Sequence, residues 1–322
     1  MVVRRIDEPL ADAQAWAEWF NAQITDLPRE AWQPSVSRSS AEWFNAQITD
    51  LPLLRQTHRR IDELTRHATE INLHELASVV LADPLLTLRT LVTVHQRKRA
   101  ASRDLTGITS ALMMIGIGPF IRQIGEMSTV EAILADERNA LTWLLSRVAR
   151  ARKAAHFAND WSTLRRDIEG EEVTVAATLF EINEILLWLY APKLMALLVA
   201  LRKRFPSHPI EVLQRKVFNT TDSELREALI NRLQLPTILK DLMDPTKNDN
   251  PRVRTVLLAT RLARHVTHGW NHPQLPQDIE AIEAHLHINR ETLLRRLEVP
   301  YELWPTLGVP VPPTAAANVT TS

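Results

Sequence analysis

Apolar residues recur along this chain at three- and four-residue spacing, the period of a helix face, which predicts helices throughout and no strand pairing of consequence. Asn72 stands three residues before Glu75 and opens a run with Leu76, Val79, Val80 and Leu81. Asp83 and Pro84 supply an N-cap and a first helical residue for Leu85, Leu88, Leu91 and Val92. Further starts are predicted at the pairs Ser39/Glu42, Ser128/Glu131 and Thr221/Glu224, which have capping-box spacing, and at Pro192, Pro209, Pro236, Pro251 and Pro276.

The longest helical pattern runs from about Asp136 to Asp160, with Leu141, Leu144, Leu145, Val148 and Ala149 on one face. A second segment, Val173 to Tyr190, is apolar nearly all round and reads as a helix buried on several sides, with Leu145, Phe180 and Leu186 expected in the interior. Residues 301–322 are proline-marked, small and polar towards the end, and are expected to form a mostly disordered tail. The string AEWFNAQITDLP occurs at 17–28 and again, unchanged, at 41–52. A single groove for it implies that the second copy docks through Trp43, Phe44 and Ile48, leaving Trp19, Phe20 and Ile24 as an apolar stripe open to self-association.

Composition narrows the function classes. Thirty-eight basic and 38 acidic side chains cancel, so the global attraction that duplex binding relies on is missing and nucleic acid is not an expected partner. Zero cysteines exclude a thiol nucleophile and thiolate-bound zinc, and suit a cytoplasmic setting. The N-terminus lacks an apolar core of signal-peptide length, and no membrane association is expected. Seven glycines in 322 residues is far below the usual share of roughly 7%. GIGPF at 116–120 lacks the strand and the further glycines of a phosphate loop; it reads as a helix stop followed by a proline start.

An ordered set of landmarks carries a family resemblance: LPLL at 51–54, INLHELASVVLADPLLTLRTL at 71–91, ITSALMMIGIGPFIRQI at 108–124 and TWLLSRVA at 142–149. VAATLFEINEILLWLYAP at 175–192, ELREALINRLQLP at 224–236 and RVRTVLLATRLARHVTHG at 252–269 complete it. Together they resemble the HDOD family, bacterial signalling modules related in fold to HD-type metal phosphohydrolases. The resemblance implies an all-α, multi-helix bundle over 45–300, preceded by a helical extension at 1–44 that holds one copy of the duplicated segment. It also implies a signalling role.

Active HD hydrolases carry a histidine on the first long helix, a His-Asp doublet on the central helix and further ligands beyond. The matching positions here look like Leu145, then Phe180 and Glu181, then Asp222. Hydrocarbon side chains offer no lone pair to a divalent ion, so this is a degenerate site with no catalytic residue, metal or cofactor expected. The family's Asn-Ser pair is also replaced, by His95 and Gln96.

Other candidates have plainer readings. His265, His268 and His272 could share a metal, but they also end a helix, where imidazoles meet terminal carbonyls. His285 and His287 face different sides of a helix and are expected to be inert. Glu181 and Glu184 could pair as acid and base; a buried glutamate held by Arg147 or Ser146 is the structural alternative. The basic clusters at 96–99 and 202–204 read as solvated helix ends. The expected function is therefore a non-catalytic regulatory module that binds a signalling protein. The alternatives are a degenerate sensor of a nucleotide-like ligand and a residual metal-dependent phosphohydrolase.

Overall fold

The computed structural model describes residues 51–67, 71–97 and 106–310. The expectations for Ser39 and Glu42, for the 1–44 extension, for the duplicated segment up to Asp50 and for the tail from 311 onward lie outside the described residues. Among the described residues every element is helical except one isolated parallel bridge, Leu53 to Thr129. Residues 51–192 and 230–310 belong to one compact unit and 193–229 to another.

The larger unit opens with LPLL, whose leucines Leu51, Leu53 and Leu54 are buried. Leu53 receives Val130 N–H at 2.9 Å and donates to Ser128 O at 3.2 Å, so a short extended segment is pinned beneath later helices. Helix α1 (Arg55–His67) follows, then α2 (Leu73–Leu81), capped by Asn72, whose side chain accepts from His74 and Glu75 N–H. Asp83, fully buried, starts α3 (Pro84–Arg97) by accepting from Leu85 and Leu86 N–H, and accepts Leu54 N–H at 2.8 Å from across the fold. Burial is the main influence on this carboxyl and pushes its pKa up, against the hydrogen bonds from Leu54, Thr57 and Leu86.

Helices α4 (Ile108–Ile115) and α5 (Ile117–Gly125) meet at Gly116, whose φ of 84° closes one and opens the other. This is the stop and restart read from GIGPF. Helix α6 (Val130–Ile133) is capped by Thr129, one residue later than predicted; Glu131 turns away to accept Arg55 N–H at 2.9 Å.

Helix α7 (Arg138–Leu164) is the spine, packing most extensively on α8 (Gly170–Leu179) and on α14, defined below, and also on α9 (Ile182–Tyr190). The stretch Gly170–Tyr190 is long and apolar enough to cross a bilayer by length and composition, and most of it is buried inside the protein. Its core includes Leu186, as expected, and Trp188. Leu145 is not interior but 38% exposed. The buried stripe of α7 follows Ala140, Leu144, Val148, Ala151 and Ala155, and Leu145 lies one helical step, about 100°, off it.

The smaller unit holds most of α10 (Pro192–Arg204), α11 (Ile210–Phe218) and the start of α12 (Asp222–Leu233). Thr221 and Glu224 form the predicted capping box: Thr221 N–H donates to Glu224 Oε2 at 2.9 Å and Glu224 N–H to Thr221 Oγ1 at 3.3 Å. The Thr221 N–H bond, then the Arg215 guanidinium, hold the Glu224 pKa down at about 2.

Back in the larger unit come α13 (Thr237–Leu242), α14 (Pro251–His265), α15 (Leu275–Leu286) and α16 (Arg290–Arg296). Arg252 in the first turn of α14 ties it to the α7–α8 connection, reaching Asp167 Oδ2 at 3.0 Å, Glu169 O at 2.7 Å and Glu172 Oε2 at 2.9 Å. The expected tail does not begin at 301. Two 3-10 turns, Tyr301–Leu303 and Pro305–Leu307, bury Trp304 to 1% exposure, and its indole N–H donates to Val299 O at 3.0 Å. One large indole outweighs the small polar residues around it.

Candidate functional site

The site begins at an interruption. Phe180 and Glu181 separate α8 from α9 because Glu181 leaves the helical basin at φ −103°, ψ 18°, and its carbonyl then starts α9 by accepting from Glu184 and Ile185 N–H. A carboxylate in the middle of an apolar run needs a counter-charge, and α7 supplies two at the matching i, i+3 spacing. Arg150 Nε lies 2.8 Å from Glu181 Oε2, and Arg147 Nε lies 2.6 Å from Glu184 Oε1. From the opposite side Arg264 Nη2 donates to Glu181 Oε1 at 3.0 Å. Arg147 also lies over the ring of Trp143, which stacks in parallel on Trp188 at 5.8 Å.

This cluster is buried and electrostatic. Arg150 is 8% exposed and Glu181 7%. The Arg150 and Arg147 contacts are close but not aligned as hydrogen bonds, so they act as charge pairs. Burial pushes the Glu181 carboxyl up, while Arg150 and Arg264 pull it back; burial likewise draws Arg150 down, against the attraction of Glu181. The sequence alternatives are thereby sorted: the partners are Arg150 for Glu181 and Arg147 for Glu184, and Ser146 has no part in these pairs.

Of the four positions read as the degenerate site, Phe180 and Glu181 sit side by side at this junction. Phe180, expected in the interior, is only half-buried. Leu145 sits on the exposed side of α7. Asp222 belongs to the smaller unit, where it pairs with Arg226 at 2.5 Å in the first turn of α12.

Beside Phe180 opens a cavity of about 380 Å³, bounded chiefly by Phe180 and by Arg254, Leu257, Leu258, Arg261 and Arg264 of α14. Arg261 Nε contacts Asp278 Oδ1 at 2.7 Å, and Asp278 Oδ2 lies 2.5 Å from His265 Nδ1. His272 stacks on His265 at 4.1 Å. Among the described residues no group of three or more His, Asp or Glu is placed to hold a metal ion. The expectation for His285 is corrected: it is buried, and its Nε2 lies 2.8 Å from Thr255 Oγ1. The Thr255 hydroxyl proton goes to Pro251 O, so Nε2–H is the donor to Thr255. Loss of water, then repulsion by Arg165, Arg254 and His287, holds the His285 pKa down at about 4.

With the geometry in place, comparison with known proteins decides the family. The model of the HDOD domain matches residues 51–248. The chain belongs to the HDOD family. The MmoQ response regulator of Methylococcus capsulatus str. Bath superposes with a TM-score of 0.60 at 17% identity, covering 77% of this chain and 98% of that one. A virulence factor (cj0248) of Campylobacter jejuni subsp. jejuni superposes with a TM-score of 0.59 at 15% identity, covering 88% and 98%. At these identities the likeness is one of fold. Comparison with curated proteins returned no match.

The HDOD landmarks were legible, but Arg150 and the arginines of α14 were not singled out. Their signal was present: Arg254, Arg261 and Arg264 stand at i, i+7 and i+10 and share a face with Leu257 and Leu258.

Proposed function

We propose that this HDOD protein is a non-catalytic cytoplasmic regulatory module that works by contact with a signalling protein. The observation that carries the reading is the commitment of Glu181. Its two oxygens face Arg150 and Arg264, so the one carboxylate at the doublet position is already shared between two cations. A divalent ion there would have to displace the buried guanidinium of Arg150 and the half-exposed one of Arg264, and Phe180 offers it no ligand. The MmoQ protein is named a response regulator, which supports signalling as the setting. Trp143 and Leu145, 39% and 38% exposed on α7, supply apolar surface of the kind that partner proteins cover.

The test is elemental analysis and hydrolysis assays on protein purified in the presence of manganese, iron and magnesium. The expected result is no stoichiometric metal and no turnover of phosphodiesters or nucleotides. One or two equivalents of metal, lost together with hydrolysis in Glu181→Gln, would overturn the reading in favour of a residual phosphohydrolase.

A further inference from the structure

The cavity beside Phe180 has the makings of an anion site. Arg254, Arg261 and Arg264 project from one face of α14 over about 15 Å of helix, close enough for long side chains to converge. Two of them are braced from behind by single contacts, Arg261 through Nε to Asp278 and Arg264 through Nη2 to Glu181. A guanidinium has five N–H donors, so each retains donors beyond its brace. Bracing also reduces the entropy lost when a ligand binds.

Arg254 stands apart. It makes no ion pair among the described residues, and it occupies the opening turn of α14, where the helix dipole disfavours a cation and no acidic residue offsets it. The two carboxylates behind the cavity do not cancel the three arginines, because Glu181 is shared with Arg150, and Asp278 lies against His265 as well as Arg261. Excess positive charge thus faces a cavity whose other surface is the apolar wall of Phe180, Leu257 and Leu258. That pairing of a cationic end with an apolar wall is the profile of a site for a phosphorylated small molecule with a flat, weakly polar body. The volume of about 380 Å³ suits one ligand of nucleoside-monophosphate size and not an extended polymer.

We propose that this cavity binds a phosphorylated small molecule, its phosphate held by Arg254 and Arg261 and its ring set against Phe180, and that the bound ligand regulates the module. The proposal rests on the non-catalytic reading only in that the ligand is held and not consumed. Binding to the full chain is measured by calorimetry with AMP, GMP, adenosine and inorganic phosphate as probes, and turnover is followed in the same samples.

AMP or GMP is expected to bind with saturation, and adenosine at least about tenfold more weakly, the worth of one charge-assisted contact. Arg254→Ala is expected to weaken the nucleotide about tenfold while leaving the thermal midpoint near wild type, because the side chain it removes is exposed and makes no ion pair among the described residues. Phe180→Leu should weaken AMP and leave inorganic phosphate unaffected. No saturable binding of any probe, or equal affinity in wild type and Arg254→Ala, would overturn the site and leave the protein-contact role standing. Hydrolysis of AMP that depends on Arg254 would instead support the site and refute the non-catalytic reading.

Discussion

Replacing Arg150 by methionine isolates the electrostatics of the α8–α9 junction. Methionine keeps most of the aliphatic volume, so the chief loss is the charge facing Glu181 at 2.8 Å. Glu181, 7% exposed, then has only the half-exposed Arg264 as partner and is driven to take up a proton. Neutralising a carboxyl whose ordinary pKa is 4.5 costs about 1.4 kcal/mol per pH unit above that value, or about 3 kcal/mol at pH 7 and under about 1 kcal/mol at pH 5. The pH 7 figure sits at the lower end of the roughly 3–5 kcal/mol found when one partner of a buried pair is removed. The direction follows from linkage. A carboxyl whose folded pKa rises above its unfolded value favours the fold at low pH, and that support is lost as pH rises through the folded pKa. Urea unfolding at pH 5 and pH 8 should therefore show the variant near wild type at the lower pH and well below it at the higher. The double variant Arg150→Met/Glu181→Met should return to within about 1 kcal/mol of wild type, because both desolvation costs are gone. A single-variant loss under about 1 kcal/mol at pH 8, or an equal loss at both pH values, would refute the reasoning.

Three further outcomes are expected. Asp83→Ala strands the buried N–H groups of Leu54, Leu85 and Leu86 and should cost about 3 kcal/mol or more by chemical unfolding, with Asp83→Asn retaining part of it. His285, with its pKa held at about 4, stays neutral when folded at pH 7; stability should fall by up to about 3 kcal/mol as pH drops from about 6.5 towards 4. An imidazole titration near 6.5 by NMR would contradict that. Trp304→Ala should cost about 3–5 kcal/mol if the C-terminal turns belong to the core, and a thermal midpoint unchanged from wild type would count against them.

What the sequence made legible was what local physics controls. Caps at Asn72 and Asp83, the Gly116 restart and the Thr221/Glu224 box each depend on residues within a turn of one another, and each is found. Spacing also located the long spine and the apolar core segment, but not the break at Phe180 and Glu181 that makes that segment two helices. It failed where orientation was decided by distant neighbours. Leu145 fits an apolar face on paper, but the partners of α7 select the face of Leu144 and Val148, and two arginines share the burial. Ser128 lost the cap to Thr129 because Glu131 is used by Arg55, 76 positions upstream. The cavity was hidden for the same reason: the arginine stripe was visible in α14, but only folding sets Phe180 against it.

The buried opening segment has a mechanical meaning. Leu53 is bridged to the turn at Ser128–Val130, and Leu54 N–H is held by a carboxylate that also caps α3. The chain therefore enters this unit through a rivet, not a swivel. Tension applied from the N-terminal side loads the Ser128–Val130 turn and the start of α3 together, and cannot be absorbed by rotation at the boundary. A pull that extracts Leu53 and Leu54 would break the bridge and the Leu54–Asp83 bond together, while the α3 cap, made by the other oxygen of Asp83, would stay in place.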